Sequence, residues 1–224
     1  MNFFAAFFDQ YGLLLAQGTL DTLIMTVVAT LFAYLLGVPL GVALVVTAPG
    51  GLRPHRVLSA VLGWVVNVGR SIPFIILLVA LIPLTRIIVG TSLGVPGAIV
   101  PLVVAAAPFV GRMVEQSLAE VDSGLVEAAQ SFGANVWQIV CKVFLHESLP
   151  SLIRGASITF ITLFGYSAMA GMVGAGGLGD IAIRYGYQRY QADVMVAALI
   201  LCIVLVQVFQ STGNLVARKV DKRK

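Results

Sequence analysis

The sequence predicts an all-α membrane protein with five transmembrane helices, and three observations predict it. Hydrophobic residues make up 59% of the 224 residues and charged ones only 11%, too little charge to cover a soluble domain of this length. The apolar residues gather into stretches long enough to cross a hydrocarbon core of ~30 Å, which takes about 20 helical residues. Between two of them lies a polar island, Glu127 to Pro150, whose uncharged run from Ala128 to Cys141 is too short to span. The chain reads as a single transmembrane domain over 1–224.

From the start of the chain, Phe3, Phe4, Phe7, Phe8 and Tyr11 fall on roughly one helical face, the pattern of an interfacial anchor. The first span covers about 19–47, where Gly37, Pro39 and Gly41 permit close packing and a bend. Pro49-Gly50-Gly51 turns the chain, and Arg53, His55 and Arg56 follow. Leu58 to Leu84 would make a helix of about 40 Å, too long for one upright span. Arg70-Ser71-Ile72-Pro73 is the expected break, because proline removes a backbone donor and disfavours helix at its predecessor. An interfacial lead-in to about Gly69 then precedes a second span over 72–88, with Arg70 at the border. A continuous helix would instead carry Arg70 to mid-depth, where an ionisable side chain points to a pathway.

Gly90 to Gly94 makes the next turn, and the third span, 95–111, bears Pro96, Pro101 and Pro108 before Arg112. The loop 115–150 holds Glu115, Glu120, Asp122, Glu127 and Glu147, half of the acidic residues, and Asp122 is placed to cap a helix leading into Glu127. Spans four and five cover 152–173 and 194–217. The basic tail Arg218, Lys219, Lys222, Arg223 and Lys224 suits anionic headgroups, so membrane lipids are expected partners.

Charge placement sets orientation. With five spans, Arg53, Arg56, Arg112, Lys142, Arg154 and the tail fall on one side and only Arg86, Arg184 and Arg189 on the other. The positive-inside rule makes the first side cytoplasmic, with the N-terminus outside and the C-terminus inside. The net charge of +4 lies beside the apolar stretches rather than on one amphipathic face, so no nucleic-acid partner is expected. Cys141 and Cys202 fall in the loop and in a span and support no disulfide framework. The N-terminus has neither a basic n-region nor a small-residue cleavage site, so no signal peptide is expected to be removed.

Within the island, Val136, Ile139, Val140, Val143 and Phe144 recur at helical spacing while Gln138, Lys142 and His146 fall elsewhere on the wheel. Gly133 separates two short helical stretches, and Asn135 with Gln138 has the form of a capping box opening the second. The expectation is a bent helix pair lying beside the membrane. Glu127-Ala128-Ala129, then Gly133, Val143, Leu145 and Leu149-Pro150, resembles the EAA loop of the membrane subunits of binding-protein-dependent ABC importers. The resemblance implies a type I importer permease fold, in which this loop is the coupling helix that docks on a cytoplasmic ATPase. Glu127, Ala128, Ala129, Gly133, Val136, Trp137 and Ile139 are the candidate docking residues. Where that family has proline after the leucine this chain has His146, which leaves Pro150 to end the helix.

Two other motifs mislead. Gly174-Ala175-Gly176-Gly177-Leu178-Gly179 spells G-x-G-x-x-G but leaves a membrane helix, whereas the dinucleotide fingerprint needs a strand before it. Its physical content is a tight turn with close backbone approach. No phosphate-cradling G-x-x-x-x-G-K-[ST] occurs, so ATP as fuel demands a separate ATPase, and neither a cofactor nor a metal is called for. Gly165-Tyr166-Ser167-Ala168-Met169 begins like a nucleophile elbow, yet both histidines, His55 and His146, lie in cytoplasmic loops far along the chain, which argues against a serine hydrolase and against an enzyme. Tyr166, Ser167, Met169 and Met172 read instead as lining of a translocation pathway, with Arg70 as a further candidate.

The stretch from Gly165 to Tyr190, taken with NVGRSIPFIILL and RIIVGTSLG, is similar to the permeases of bacterial methionine uptake systems. That likeness implies a homodimer, two cytoplasmic ATPase subunits, a periplasmic or lipid-anchored methionine-binding protein, and alternating access across the cytoplasmic (inner) membrane. The alternatives are a permease of the same fold for another small solute, such as a sulfonate or phosphonate, and a transporter that needs no ATPase.

Overall fold

A computed structural model describes residues 3–221, with side chains from residue 5 onward. The rings of Phe3 and Phe4 and the tail residues Lys222, Arg223 and Lys224 lie outside the described residues. In chain order the helices are α1 Phe3–Thr47, α2 Arg56–Ser71, α3 Phe74–Ala80, α4 Ile82–Val89, α5 Gly94–Ala119, α6 Ser123–Ser131, α7 Val136–Ile139, α8 Leu145–Glu147, α9 Leu149–Ala170, α10 Gly177–Ile181 and α11 Ala192–Val220. Wider π-helical turns occur at Val140–Phe144, Gly171–Ala175 and Ala182–Tyr187. No strand occurs among the described residues. Four helices are long and apolar enough to cross a membrane, and α2 with α3, broken at Ile72–Pro73, makes a fifth if counted as one span.

Two elements differ from the sequence expectation. α1 is a single helix of 45 residues, about 67 Å long at 1.5 Å per residue, so the aromatic start and the first span are one element. Phe7 and Tyr11 pack against a buried cluster of Leu15, Leu178, Ile181, Val194 and Ala198, with Tyr11 edge-on to Tyr185 at 6.4 Å. Phe8, 63% exposed, keeps the outward role. The segment expected as one span over 72–88 is two helices, α3 and α4, which meet at Leu81 (φ −86°, ψ 0°). Pro83 in the first turn of α4 has no N–H to continue the ladder of α3.

The residues form two compact units, Met1–Leu31 with Pro73–Val104 and Phe160–Phe209, and Phe32–Ile72 with Ala105–Thr159 and Gln210–Lys224. In the first unit the glycine run after α9 makes a close-packed turn. Gly174, Gly176 and Gly177 have φ of 94°, 81° and 83°, the left-handed region that glycine enters without penalty. The Leu178 N–H donates to the buried Thr22 hydroxyl at 2.9 Å, and a Cβ on Gly179 would sit 2.5 Å from the Ala168 carbonyl oxygen. The run serves backbone packing against α1 and α9, with no strand before it and a helix of only five residues after it.

In the second unit Gly37 and Gly41 let α1 approach α5 closely: a Cβ would lie 2.5 Å from Val110 Cγ1 and 2.6 Å from Val114 Cγ1 respectively. The Tyr34 hydroxyl donates to the Leu152 carbonyl at 3.1 Å, tying α1 to α9. α2 is capped by His55, whose Nδ1 accepts from the Leu58 N–H, and exposes Val57, Val61, Trp64 and Val65 along its length. Arg112 on α5 donates to Asn67 on α2 at 2.8 Å and pairs with Glu115 at 2.5 Å, so the polar ends of α2 and α5 are cross-tied.

Candidate functional site

The loop of the second unit is held at both ends by its own side chains. Asp122 opens α6, its Oδ1 accepting from the Gly124 N–H at 2.7 Å. α6 stops at Phe132 because Gly133 takes φ 78°; the Gly133 N–H then donates to the Gln130 carbonyl and the Ala134 N–H to the Ala129 carbonyl, the pattern by which a left-handed glycine satisfies a helix end. α7 opens with the expected capping box: the Gln138 N–H donates to Asn135 Oδ1 and the Asn135 N–H to Gln138 Oε1, both at 2.9 Å. The bent helix pair is thus written locally into the residues around Gly133.

Burial sorts the side chains. Ile139 and Val140 are each 2% exposed and Phe144 is 7% exposed, while Gln138, Lys142 and His146 face out. Val140 and Phe144, four residues apart and joined by a π turn, share the inner side, while Cys141 and Lys142 face outward. Opposite them Phe132 is 92% exposed and Trp137 73% exposed. On α6, Leu125, Ala128 and Phe132 recur at helical spacing and all are exposed, an apolar face that the chain leaves uncovered.

Of the candidate docking residues, Glu127 and Ala128 are exposed on α6, Ala129 and Val136 are half-buried, Gly133 supplies the bend, and Trp137 projects outward. Ile139 is sealed inside, where it supports the loop. Phe132 is a further exposed residue that the sequence reading passes over, although its place seven residues after Leu125 is a signal for it. Pro150 is a correction. It lies in the first turn of α9, where a proline is tolerated, and the preceding break falls at Ser148, whose hydroxyl donates to the Phe144 carbonyl at 2.6 Å.

The other candidate face belongs to the first unit. Gly165, Met169 and Met172 lie on one side of α9 and the turn that follows, and the two methionines are 44% and 62% exposed. Tyr166 is half-buried and lies parallel to Phe74 of α3, ring centroids 4.6 Å apart. Ser167 is 2% exposed and its hydroxyl donates to the Phe164 carbonyl at 2.8 Å, so within this chain its side chain is covered. Arg70 is exposed in the last turn of α2, where a cation suits the helix dipole. Because the helix stops at Ser71, the continuous arrangement that would bury Arg70 at mid-depth does not arise. Among the described residues no group of His, Cys, Asp and Glu is arranged to hold a metal.

A loop with capped ends, a buried inner face and an uncovered aromatic outer face, set between apolar helices, matches a known family. Residues 33–224 fit the family model described as binding-protein-dependent transport system inner membrane component. The chain belongs to that family. It is accordingly a multi-pass inner-membrane subunit of a transport system rather than an enzyme. It is 50% identical to the probable D-methionine transport system permease protein MetI of Vibrio cholerae over 222 residues, 99% of each chain. It is 54% identical to the D-methionine transport system permease protein MetI of Escherichia coli over 158 residues, 70% of this chain and 73% of that one. Among solved structures it resembles a chain of the MetNI methionine ABC transporter in an inward-facing conformation, with a TM-score of 0.93 and 51% identity over 95% of this chain and 98% of that one. An amino acid ABC transporter at 18% identity and a TM-score of 0.78 shares the fold.

Proposed function

We propose that this chain is the permease subunit of an ATP-driven importer that carries methionine, L- and D-forms included, across the inner membrane. The names of the relatives at about half identity over nearly the full chain support the cargo, and the exposed outer face of α6 and α7 carries the coupling role. In this reading the N-terminus is outside, the C-terminus is cytoplasmic, two copies of the chain enclose the pathway, and two cytoplasmic ATPase subunits bind the two loops. A periplasmic or lipid-anchored binding protein delivers the amino acid.

The loop suits this work because its contact residues and its supports are different residues. Phe132 and Trp137 offer apolar surface to a groove on the ATPase, Glu127 adds a charged contact, and Ala128 and Ala129 keep α6 thin enough for close approach. Gly133 sets the bend, with Val136 at the edge. Ile139, Val140 and Phe144 pass displacement of the outer face into the unit that holds it. Closure of the ATPases on ATP draws the two loops together and swings the helices from inward-facing to outward-facing. Met169 and Met172, with Tyr166 behind them, provide a polarisable wall for a thioether cargo, and Arg70 stands at the cytoplasmic border.

The test is uptake of labelled methionine by cells or vesicles carrying Glu127→Lys. Insertion should be normal and uptake lost, and an excess of unlabelled methionine should abolish wild-type uptake. Undiminished uptake in the variant would remove the docking role, and uptake that survives loss of ATP hydrolysis would remove the ATPase.

A further inference from the structure

A polar site in the first unit has no assigned occupant. Thr19, Thr22, Thr26, Thr30, Thr47 and Thr159 all turn their hydroxyls back to the carbonyl four residues earlier, at 2.7 to 2.9 Å. Thr85 on α4 does not. Its backbone N–H reaches the Leu81 carbonyl at 2.8 Å, but its side-chain oxygen is buried with no protein partner, and the residue is 1% exposed. Leaving such a group unpaired is costly, so its orientation needs a cause.

Thr85 lines a cavity of ≈ 10 Å³ together with Ser92, Gly97, Pro101, Ala170 and Val173. The wall also contains a carbonyl without its α-helical donor. Pro101 lies four residues after Gly97 in α5 and has no N–H, so the Gly97 carbonyl lacks its usual helical donor. Gly97 is itself required there, since a Cβ would fall within 2.7 Å of the Ser92 carbonyl oxygen. Ser92 accepts from Arg86 Nε at 3.2 Å, which leaves its own proton free to donate. The space is that of one water, which needs roughly 10–15 Å³ and two to four polar partners. The Arg86 guanidinium beside Ser92 rules against a cation in the same place.

We propose that a single water is a built component of this unit, accepting from Thr85 or Ser92 and donating to the Gly97 carbonyl. It joins α4 to the proline-bearing turn of α5, with Ala170 and Val173 closing the cavity around it. An exchangeable partner lets those segments part without stranding a buried donor, which a direct side-chain bond would not.

The test is a structure of the assembled transporter resolved finely enough to show internal waters, for the wild type and for Thr85→Val and Thr85→Ser. The expected wild-type result is density at roughly 3 Å from both Thr85 Oγ1 and the Gly97 carbonyl oxygen, kept in Thr85→Ser and lost or weakened in Thr85→Val. Thr85→Val should also lower the thermal midpoint of the complex by about 2–4 °C. The proposal is overturned if other internal waters are visible and this one is not, if the Thr85 hydroxyl is found bonded back to Leu81, or if Thr85→Val keeps both the density and the midpoint.

Discussion

Phe132→Ala and Ile139→Ala remove side chains from opposite faces of the same loop, and they should fail in opposite ways. Phe132 is 92% exposed, so truncating it in the isolated permease removes almost no packing and should change stability by less than about 0.5 kcal/mol. If the ring is buried on docking, its loss forfeits about 1.5–3 kcal/mol per loop, roughly a ten- to 150-fold weaker hold on the ATPase at each site. Ile139 is 2% exposed, and truncating it creates a cavity at a cost of about 2–5 kcal/mol in the permease itself. The assay has two arms on each purified variant: thermal midpoint of the permease alone, and affinity for the ATPase subunit measured by titration. Phe132→Ala should keep the midpoint and lose affinity, while Ile139→Ala should lose the midpoint first. If Phe132→Ala lowers the midpoint and binds the ATPase normally, the outward face is not the docking surface and the division between contact and support residues is wrong.

Three further outcomes follow from the same geometry. Asn135→Ala removes the capping box of α7 and should cost about 1 kcal/mol, seen as roughly fivefold faster amide hydrogen exchange across Val136–Ile139 with the rest of the chain unchanged. Gly41→Leu places a side chain against Val114 and the Gly111 carbonyl, overpacking worth about 1–3 kcal/mol, and should lower the thermal midpoint or the yield of folded protein. Met169→Ala with Met172→Ala should leave assembly and the midpoint intact, because both side chains are exposed, while altering the concentration dependence of methionine uptake; unchanged uptake kinetics would detach that face from the pathway.

How much of this was legible in the sequence depended on whether the determinant was local. The cap at Asp122, the box at Asn135 and Gln138, the bend at Gly133 and the break at Pro73 all act on residues within four positions, and each is where the residues placed it. The inward set Ile139, Val140 and Phe144 is visible as a period, but the period does not say which of those residues the chain itself covers, as it covers Ile139. Ser167 shows the same limit. Serine beside glycine in a membrane helix suggests a polar wall, yet its hydroxyl is satisfied by a carbonyl three residues back. The aromatic start of α1 was separated from the first span because hydropathy changes there, whereas backbone hydrogen bonding does not, and the helix runs through.

Coupling through such a loop requires that the outer face not collapse into its own support, and the chain meets this with two unlike devices. On the N-terminal side a glycine at φ 78° ends α6, so that Phe132 projects from a helix end and no neighbouring side chain can fold over it. On the C-terminal side Val140 and Phe144, four residues apart across a π turn, anchor the same inner side while Trp137, less than one turn earlier, stays outside. A one-residue deletion within Val140–Phe144 turns Phe144 by about 100° relative to Val140 and should therefore weaken the anchoring of the loop more than Trp137→Ala does.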